Sequence, residues 1–396
     1  CFCNPGECHE SLQLSSADIK DHITMGHVCW DDNDLIKGKS TGAVRISLGY
    51  MSNVADCNRF LDFLEKYFVE SVVPSDRNDS EAVVTKTALI KQICVYPIKS
   101  CGPFSVQSWE FGNRGLLFDR EWALVDISSG RALSAKNNPK MITIRPTLDL
   151  QTKTLVVNAP KMEELVIAFE DTADIVQMKV CGDKCEGKAY GKHINEWFSK
   201  YLDKQCRLVR TIADAPRACK LKEIKRSEKN RLDSVRANDT NRAASTTQAS
   251  EVPQFSFANE SQLLVINEGS VEEMRNRVSK NHEGYPNETL EETTSRFRAN
   301  IIVSEIPPFE EDQWQNFTLG DIDFECLGPC VRCRMICNHP KTGQPDPLGE
   351  PLATLSEYRR YKGRVMFGRH ASCTQLQAQQ TTTFSTNHIL TVNTKP

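Results

Sequence analysis

The chain has 396 residues, of which 49 are Lys or Arg and 52 are Asp or Glu, giving a net charge of −3 with 39% hydrophobic and 26% charged residues. Such a balance describes a globular chain of two or three domains, each able to bury its own core, and it argues against a general nucleic-acid binder. No apolar run reaches the ~18 residues a membrane helix needs, and sixteen cysteines in so long a chain without a visible signal peptide read as reduced thiols, not a disulfide framework.

The chain opens Cys1-Phe2-Cys3-Asn4-Pro5-Gly6, with Cys8 close behind. Because it starts with Cys and not Met, the true N-terminus is expected upstream. Residues 1–69 read as the end of a domain. Thr41 to Ser47 is a turn entering a strand, and Asn53 is an N-cap with Asp56 three residues on. Phe60, Phe63, Leu64, Tyr67 and Phe68 then recur at helical spacing. Residues 70–87 are polar and form a linker.

From residue 88 the texture becomes strand-rich. Ile90 to Ile98, Trp122 to Val125, Met141 to Ile144, Leu155 to Val157, Leu165 to Phe169 and Ile175 to Val180 are punctuated by Gly, Pro, Asn and Asp. This density predicts a barrel or sandwich over 88–210. Ile194, Trp197, Phe198, Tyr201 and Leu202 predict an amphipathic helix. Residues 211–252 interrupt the order: Lys and Arg outnumber Asp and Glu seven to three over 220–236, and a Ser/Thr/Ala/Gln/Asn stretch follows. That segment reads as a disordered insertion. Order returns over 253–370, with strands at Leu263 to Ile266 and Ile301 to Val303, and a helix capped by Ser270 with Glu273. Residues 371–396, rich in Gln, Thr and Asn, read as a low-complexity tail.

A sulfur cluster stands near the end: Gly328-Pro329-Cys330-Val331-Arg332-Cys333, then Cys337 and His339. Thiolates carry sulfur covalently and bind soft metals, and an arginine between two cysteines favours the thiolate and grips anions. With Cys326, this cluster has enough ligands for zinc. Structural zinc, however, takes paired Cys-x-x-Cys knuckles from separate segments, and only one such pair occurs here.

At these motifs the chain resembles the eukaryotic molybdenum cofactor sulfurases, in which a pyridoxal-phosphate-dependent cysteine desulfurase is fused to a C-terminal MOSC module. CFCNPGECHESLQLS and GHVCWDDNDLIKGKSTGAVRISLGYMS resemble the last part of the desulfurase half. VYPIKSC, GLLFDREWALV, RFRANIIV and GPCVRCRMI resemble the MOSC half with its N-terminal barrel. The resemblance covers about 1–69 and 88–370. It implies an α+β, mainly β fold: a truncated remnant of a pyridoxal-phosphate fold type I small domain, then a MOSC-type β-barrel module. The family's Schiff-base lysine has no counterpart here, and the tail stands where the family adds a last strand.

The resemblance also assigns roles. Cys3 aligns with the mobile-loop cysteine that takes sulfur from L-cysteine as a persulfide, although spacing alone does not separate it from Cys1 or Cys8. Arg45 falls where the family binds the substrate carboxylate. Cys333 falls where related proteins ligate molybdenum, and it either does so or relays a persulfide. Lys99, Arg120, Arg298, Asn300 and Arg332 would hold the molybdopterin, while Asp119 pairs with a neighbouring arginine. The implied activity is sulfur transfer from L-cysteine to the molybdenum cofactor, activating xanthine dehydrogenase and aldehyde oxidase. The implied setting is the cytoplasm, with neither nucleic acid nor membrane as partner and a homodimer through the desulfurase half. Two other readings are a MOSC-type molybdenum oxidoreductase reducing N-hydroxylated substrates and a non-catalytic zinc-stabilised module.

Overall fold

The computed structural model describes residues 14–18, 20, 35–36, 39–40, 53–54, 56–61, 84–212, 217–218, 254–282, 285, 288–361, 363–373 and 381–394. The chain divides into two compact units, residues 1–79 and 80–396. In the first, Leu35–Ile36 pairs with Lys39–Ser40. The Asn53 side chain accepts from the Asp56 N–H at 3.1 Å, and the Asp56 carboxylate accepts from the Asn53 N–H at 3.2 Å. This is the reciprocal cap the sequence predicts. Cys3 and Arg45, the site residues expected in the pyridoxal-phosphate small-domain remnant, lie outside the described residues.

The second unit opens with a long strand, β1 (Val84–Val95). Its N-terminal module follows: β2 (Trp122–Asp126), a meander over Arg145–Asp149, Thr154–Asn158 and Leu165–Ala168, then β3 (Thr172–Val180), β4 (Asp183–Tyr190), helix α1 (Lys192–Leu202) and β5 (Cys206–Thr211). Strands β3, β4, β5 and β2 form one antiparallel sheet in that order. Helix α1 buries Ile194, Phe198 and Tyr201, as its spacing predicts.

The second module comprises β6 (Leu263–Asn267), α2 (Glu268–Asn281), α3 (Leu290–Arg296), β7 (Ile301–Ser304), β8 (Trp314–Leu319), β9 (Ile322–Arg332), α4 (Leu352–Tyr358), β10 (Arg364–Cys373) and β11 (Ile389–Thr394). Seven strands close a barrel in the order β6-β7-β1-β11-β8-β9-β10, with β10 returning to β6. Only β6 and β7 run parallel, joined through α2 and α3. Every residue of β6 and the first three of β7 are buried, because one face meets the barrel core and the other meets helices. Phe317 and Phe324 stack at 4.9 Å inside the barrel, while Ile266, Val271, Met274, Phe297 and Phe367 form a second core on the helical side. Among the described residues no helix is long and apolar enough to cross a membrane.

Two irregularities in the β9–β10 pairing decide where the cysteine motif points. Between Cys326 and Gly328, β9 carries one extra residue, and between Pro329 and Val331 the extra residue is on β10. In a strand with a side-chain period of two, an inserted residue exchanges the two faces. Phe324 and Cys326 accordingly pack in the barrel core, whereas Cys330, four residues further in the same parity, packs in the second core.

Several sequence expectations are corrected. Residues 382–394 are not a tail: Thr382–Ser385 pairs with Ser108–Gly112, and β11 is inserted between β1 and β8 to complete the barrel. Its Leu390, Val392 and Thr394 face inward, and the intervening Ile389 and Thr391 are exposed, so a polar composition conceals an alternating strand. Val84–Thr87, expected as linker, pair with the same strand. Met141–Thr143 form a 3-10 turn begun by Pro139, not a strand. Within the expected disordered insertion, Arg217–Ala218 pair with Gln254–Phe255. The cap of α2 is Asn267, which accepts from the Gly269 N–H at 2.9 Å. Ser270 is instead wholly buried, donating to Glu311 at 2.9 Å and accepting from the Phe309 N–H at 2.7 Å.

Gly368 sits in the β10 irregularity at φ +77, and a Cβ there would lie 2.6 Å from Ile266 Cγ2 and 2.8 Å from the Val265 carbonyl. The backbone clash and the left-handed conformation together predict that Gly368→Ala loses roughly 2–4 kcal/mol. A denaturant midpoint equal to that of the native protein would contradict this.

Candidate functional site

A cavity of about 270 Å³ opens between the two modules, near the lower end of small-molecule sites, roughly 300 Å³ upward. Lys99, Arg120, Arg298, Asn300, Arg332 and Cys333 all line it, brought from four separate stretches of chain. Lys136 also faces it, and Glu260 is the single carboxylate among its described lining residues. A chain with a net charge of −3 thus concentrates cations around one concave space, which focuses a positive potential there.

Each cation is fixed by the backbone around it. Lys99 follows β1 and donates to the Phe257 carbonyl at 2.9 Å and to Asn259. Arg120 pairs with Asp119, as the sequence suggests, and donates to the Arg298 carbonyl at 3.0 Å. Asp119 in turn accepts from the Tyr96 N–H at 2.9 Å. The guanidinium groups of Arg120 and Arg298 lie 4.3 and 4.4 Å from the centre of the same Tyr96 ring. That ring stabilises two like charges placed side by side. Arg298 also donates to the Cys101 carbonyl. Burial and the neighbouring Arg120 lower its pKa to about 10, which leaves it charged at neutral pH.

Four cavity residues, Ser100, Arg120, Cys181 and Arg298, hold φ between +50 and +69. Left-handed backbone costs a non-glycine residue on the order of 1–2 kcal/mol, and such residues cluster at functional sites. In the RFRAN motif this conformation separates two arginines that the sequence places two residues apart. Arg296 ends α3 and is buried in a bidentate pair with Glu288, whereas Arg298 turns into the cavity.

Asn300 is a clamp: its side chain accepts from the Leu264 N–H at 3.2 Å and donates to the Cys94 carbonyl at 3.2 Å, tying β6 to β1. Arg332 donates through Nε to Phe367 at 2.8 Å and through Nη1 to Phe297 at 2.9 Å. Its Nη2 is buried without a hydrogen-bond partner. Phe297 and Phe367 stack at 4.3 Å beside it. Cys333 is exposed, at the start of the 3-10 turn Arg334–Cys337.

The five zinc candidates do not converge. Cys326 is in the barrel core, Cys330 lines the cavity, Cys333 is exposed, Cys337 donates to the Gly349 carbonyl at 3.2 Å and His339 stands beside Glu288. Among the described residues no three His, Cys, Asp or Glu side chains form a metal set. The eleven described cysteines are all free thiols.

The sequence did not single out His370, Ser261 or Glu260. His370 on β10 is buried in the cavity wall, with Nδ1 2.7 Å from Ser261 Oγ and Nε2 2.9 Å from Glu260 Oε2. The second contact is an ion pair, not an aligned hydrogen bond. A lone histidine in a strand carries little signal. Only the bulge at Gly328, which faces His370 across the ladder, brings it to the cysteine motif.

A family model of the MOSC N-terminal beta barrel domain matches residues 87–205, and a model of the MOSC domain matches residues 252–381. The chain is 37% identical over 384 residues to a molybdenum cofactor sulfurase of Oryza sativa subsp. japonica, covering 93% of this chain and 44% of that protein. It is 36% identical over 383 residues to one from Solanum lycopersicum, with the same coverage, and 32% identical over 454 residues to one from Bos taurus, covering 95% and 49%. The chain therefore spans about half the length of the curated relatives it matches. With both modules matched in order, and identity extending along nearly the whole sequence, the chain belongs to the family of the molybdenum cofactor sulfurases.

Proposed function

We propose that this chain binds the molybdenum cofactor as a substrate in the cavity between its modules and presents Cys333 for sulfur transfer to it. The observation that supports this best is the convergence of Lys99, Arg120, Arg298 and Arg332 on one cavity beside Cys333. A molybdopterin is a phosphorylated planar heterocycle. Arginines grip its phosphate through paired charged hydrogen bonds, and the unpartnered Nη2 of Arg332 is a donor available to it. A soft thiol at the rim suits either ligation of molybdenum or a persulfide.

In the whole protein, sulfur would come from L-cysteine through a persulfide on Cys3, with Arg45 holding the substrate carboxylate. Xanthine dehydrogenase and aldehyde oxidase would receive the sulfurated cofactor, in the cytoplasm, from a protein that dimerises through its desulfurase half. Pyridoxal phosphate would supply the electron sink for releasing sulfur. The cavity described here is lined with cations and suits an anion.

The test is direct binding. Molybdopterin mixed with the chain should co-elute on gel filtration at low salt, and the retained fraction should fall as salt screens the cations. Elution of the pterin apart from the protein at low salt would reject the reading.

A further inference from the structure

Cys330 differs from every other buried thiol whose proton affinity is perturbed. Burial pushes Cys94 up to about 11, Cys101 up to about 12 and Cys206 up to about 11, and it raises Cys337 as well. Cys330 is buried too, but it lines the cavity together with His370, which stands on the neighbouring strand β10. His370 is held from its other side by Ser261 and Glu260. Arg332, two residues along the same face of β9, has its Nη2 buried without an acceptor.

Resting on the sulfur-transfer reading above, we propose that Cys330 is a second sulfur-accepting thiol of this cavity, held by His370 and Arg332, to which a persulfide entering at the rim passes its outer sulfur. The step conserves atoms and electrons. The Cys330 thiolate bonds to the outer sulfur, the donor's S–S bond breaks, and the donor departs as a thiolate. The transferred sulfur keeps its proton and its oxidation level, so no external oxidant or reductant is needed.

The electrostatics agree with this placement. Burial alone would raise the Cys330 pKa, but the Arg332 and His370 charges outweigh it and hold the thiol below its usual value, with Glu260 opposing them. Burial would lower His370, yet the Cys330 thiolate and the Glu260 carboxylate lift it to about 9. Each group therefore favours the charged form of the other. Cys330 is thus the partner of a positioned cation, and His370 is a positioning residue that acts through it.

The experiment uses the chain itself with inorganic polysulfide at about pH 6, where an ordinary cysteine is almost wholly protonated. Mass spectrometry of protease fragments then locates the added sulfur, since Arg332 separates Cys330 from Cys333 on tryptic cleavage. Added sulfur should appear on Cys330 in the native chain, persist there in Cys333→Ser and vanish from that fragment in Cys330→Ser. His370→Gln should slow alkylation of Cys330 at about pH 6 by about tenfold and move its pH profile upward. Should that variant not fold, Glu260→Gln, at a partly exposed side chain, should move the profile the opposite way, downward, because the Glu260 carboxylate opposes the thiolate. Sulfur found on Cys333 and never on Cys330, or a Cys330 profile unmoved by the substitution that folds, overturns the proposal. Failure of molybdopterin retention with Cys330 labelling intact would count against the cofactor reading alone.

Discussion

Replacing Arg296 by alanine should destabilise the protein by about 3–5 kcal/mol, the range measured when one partner of a buried ion pair is removed. Arg296 and Glu288 are only 3% and 4% exposed, and the guanidinium meets the carboxylate through Nε at 2.7 Å and Nη2 at 2.8 Å. Its third donor, Nη1, reaches the Ile336 carbonyl at 3.1 Å. Thr293 adds a hydrogen bond to Glu288 at 2.9 Å. Alanine would leave a buried carboxylate with a hydroxyl donor and a distant histidine, and it would also release the turn that follows Cys333. The double variant Arg296→Met with Glu288→Leu should recover most of the loss, because the penalty arises from the orphaned charge more than from the missing attraction. Urea titration checks both. An Arg296→Ala midpoint within about 1 kcal/mol of the native protein would show that the pair carries little of the fold's stability.

The contrast between Arg296 and Arg298 marks the limit of what the sequence discloses. The motif RFRAN names two arginines two residues apart, and only the local backbone distinguishes them. A helix ending at Arg296 and a left-handed residue at Arg298 send one charge into the core and the other to the cavity. The strands with strong apolar patterns, such as Leu263 to Ile266, Ile301 to Val303 and Trp122 to Val125, were legible because burial on both faces leaves little room for polar residues. β11 was not legible, since only Leu390 and Val392 give its inward face an apolar signal. Nor did residue parity place Cys330. Counted from Phe324 and Cys326 it would face the barrel core, and a bulge set by Gly328 reverses that. The cations of the cavity were legible as blocks of family-like sequence. Their convergence depends on contacts between residues far apart in the chain, as between Arg120 and Arg298, and no local pattern encodes those.

The second large effect separates binding from sulfur transfer. Arg298→Ala should weaken molybdopterin retention by roughly tenfold to a hundredfold, since a charge-assisted hydrogen bond is worth about 1.5–3 kcal/mol. Because Arg298 also donates to the Cys101 carbonyl and lies against Tyr96, Arg298→Lys serves as the control. It keeps a charge on the ring but loses the fork, and should fall between the two. Cys333→Ser should behave oppositely. The side chain is exposed and the substitution nearly isosteric, so the fold and the cationic cavity remain and retention should stay within about threefold of native. Sulfur delivery by the whole protein, read as reactivation of desulfo xanthine dehydrogenase, should be lost in Cys333→Ser, because a hydroxyl carries no persulfide and is a poor ligand for a soft metal. At saturating cofactor it should survive in Arg298→Ala. Full reactivation by Cys333→Ser would move the essential thiol inward to Cys330, the cysteine whose charged neighbours Arg332 and His370 already favour a thiolate.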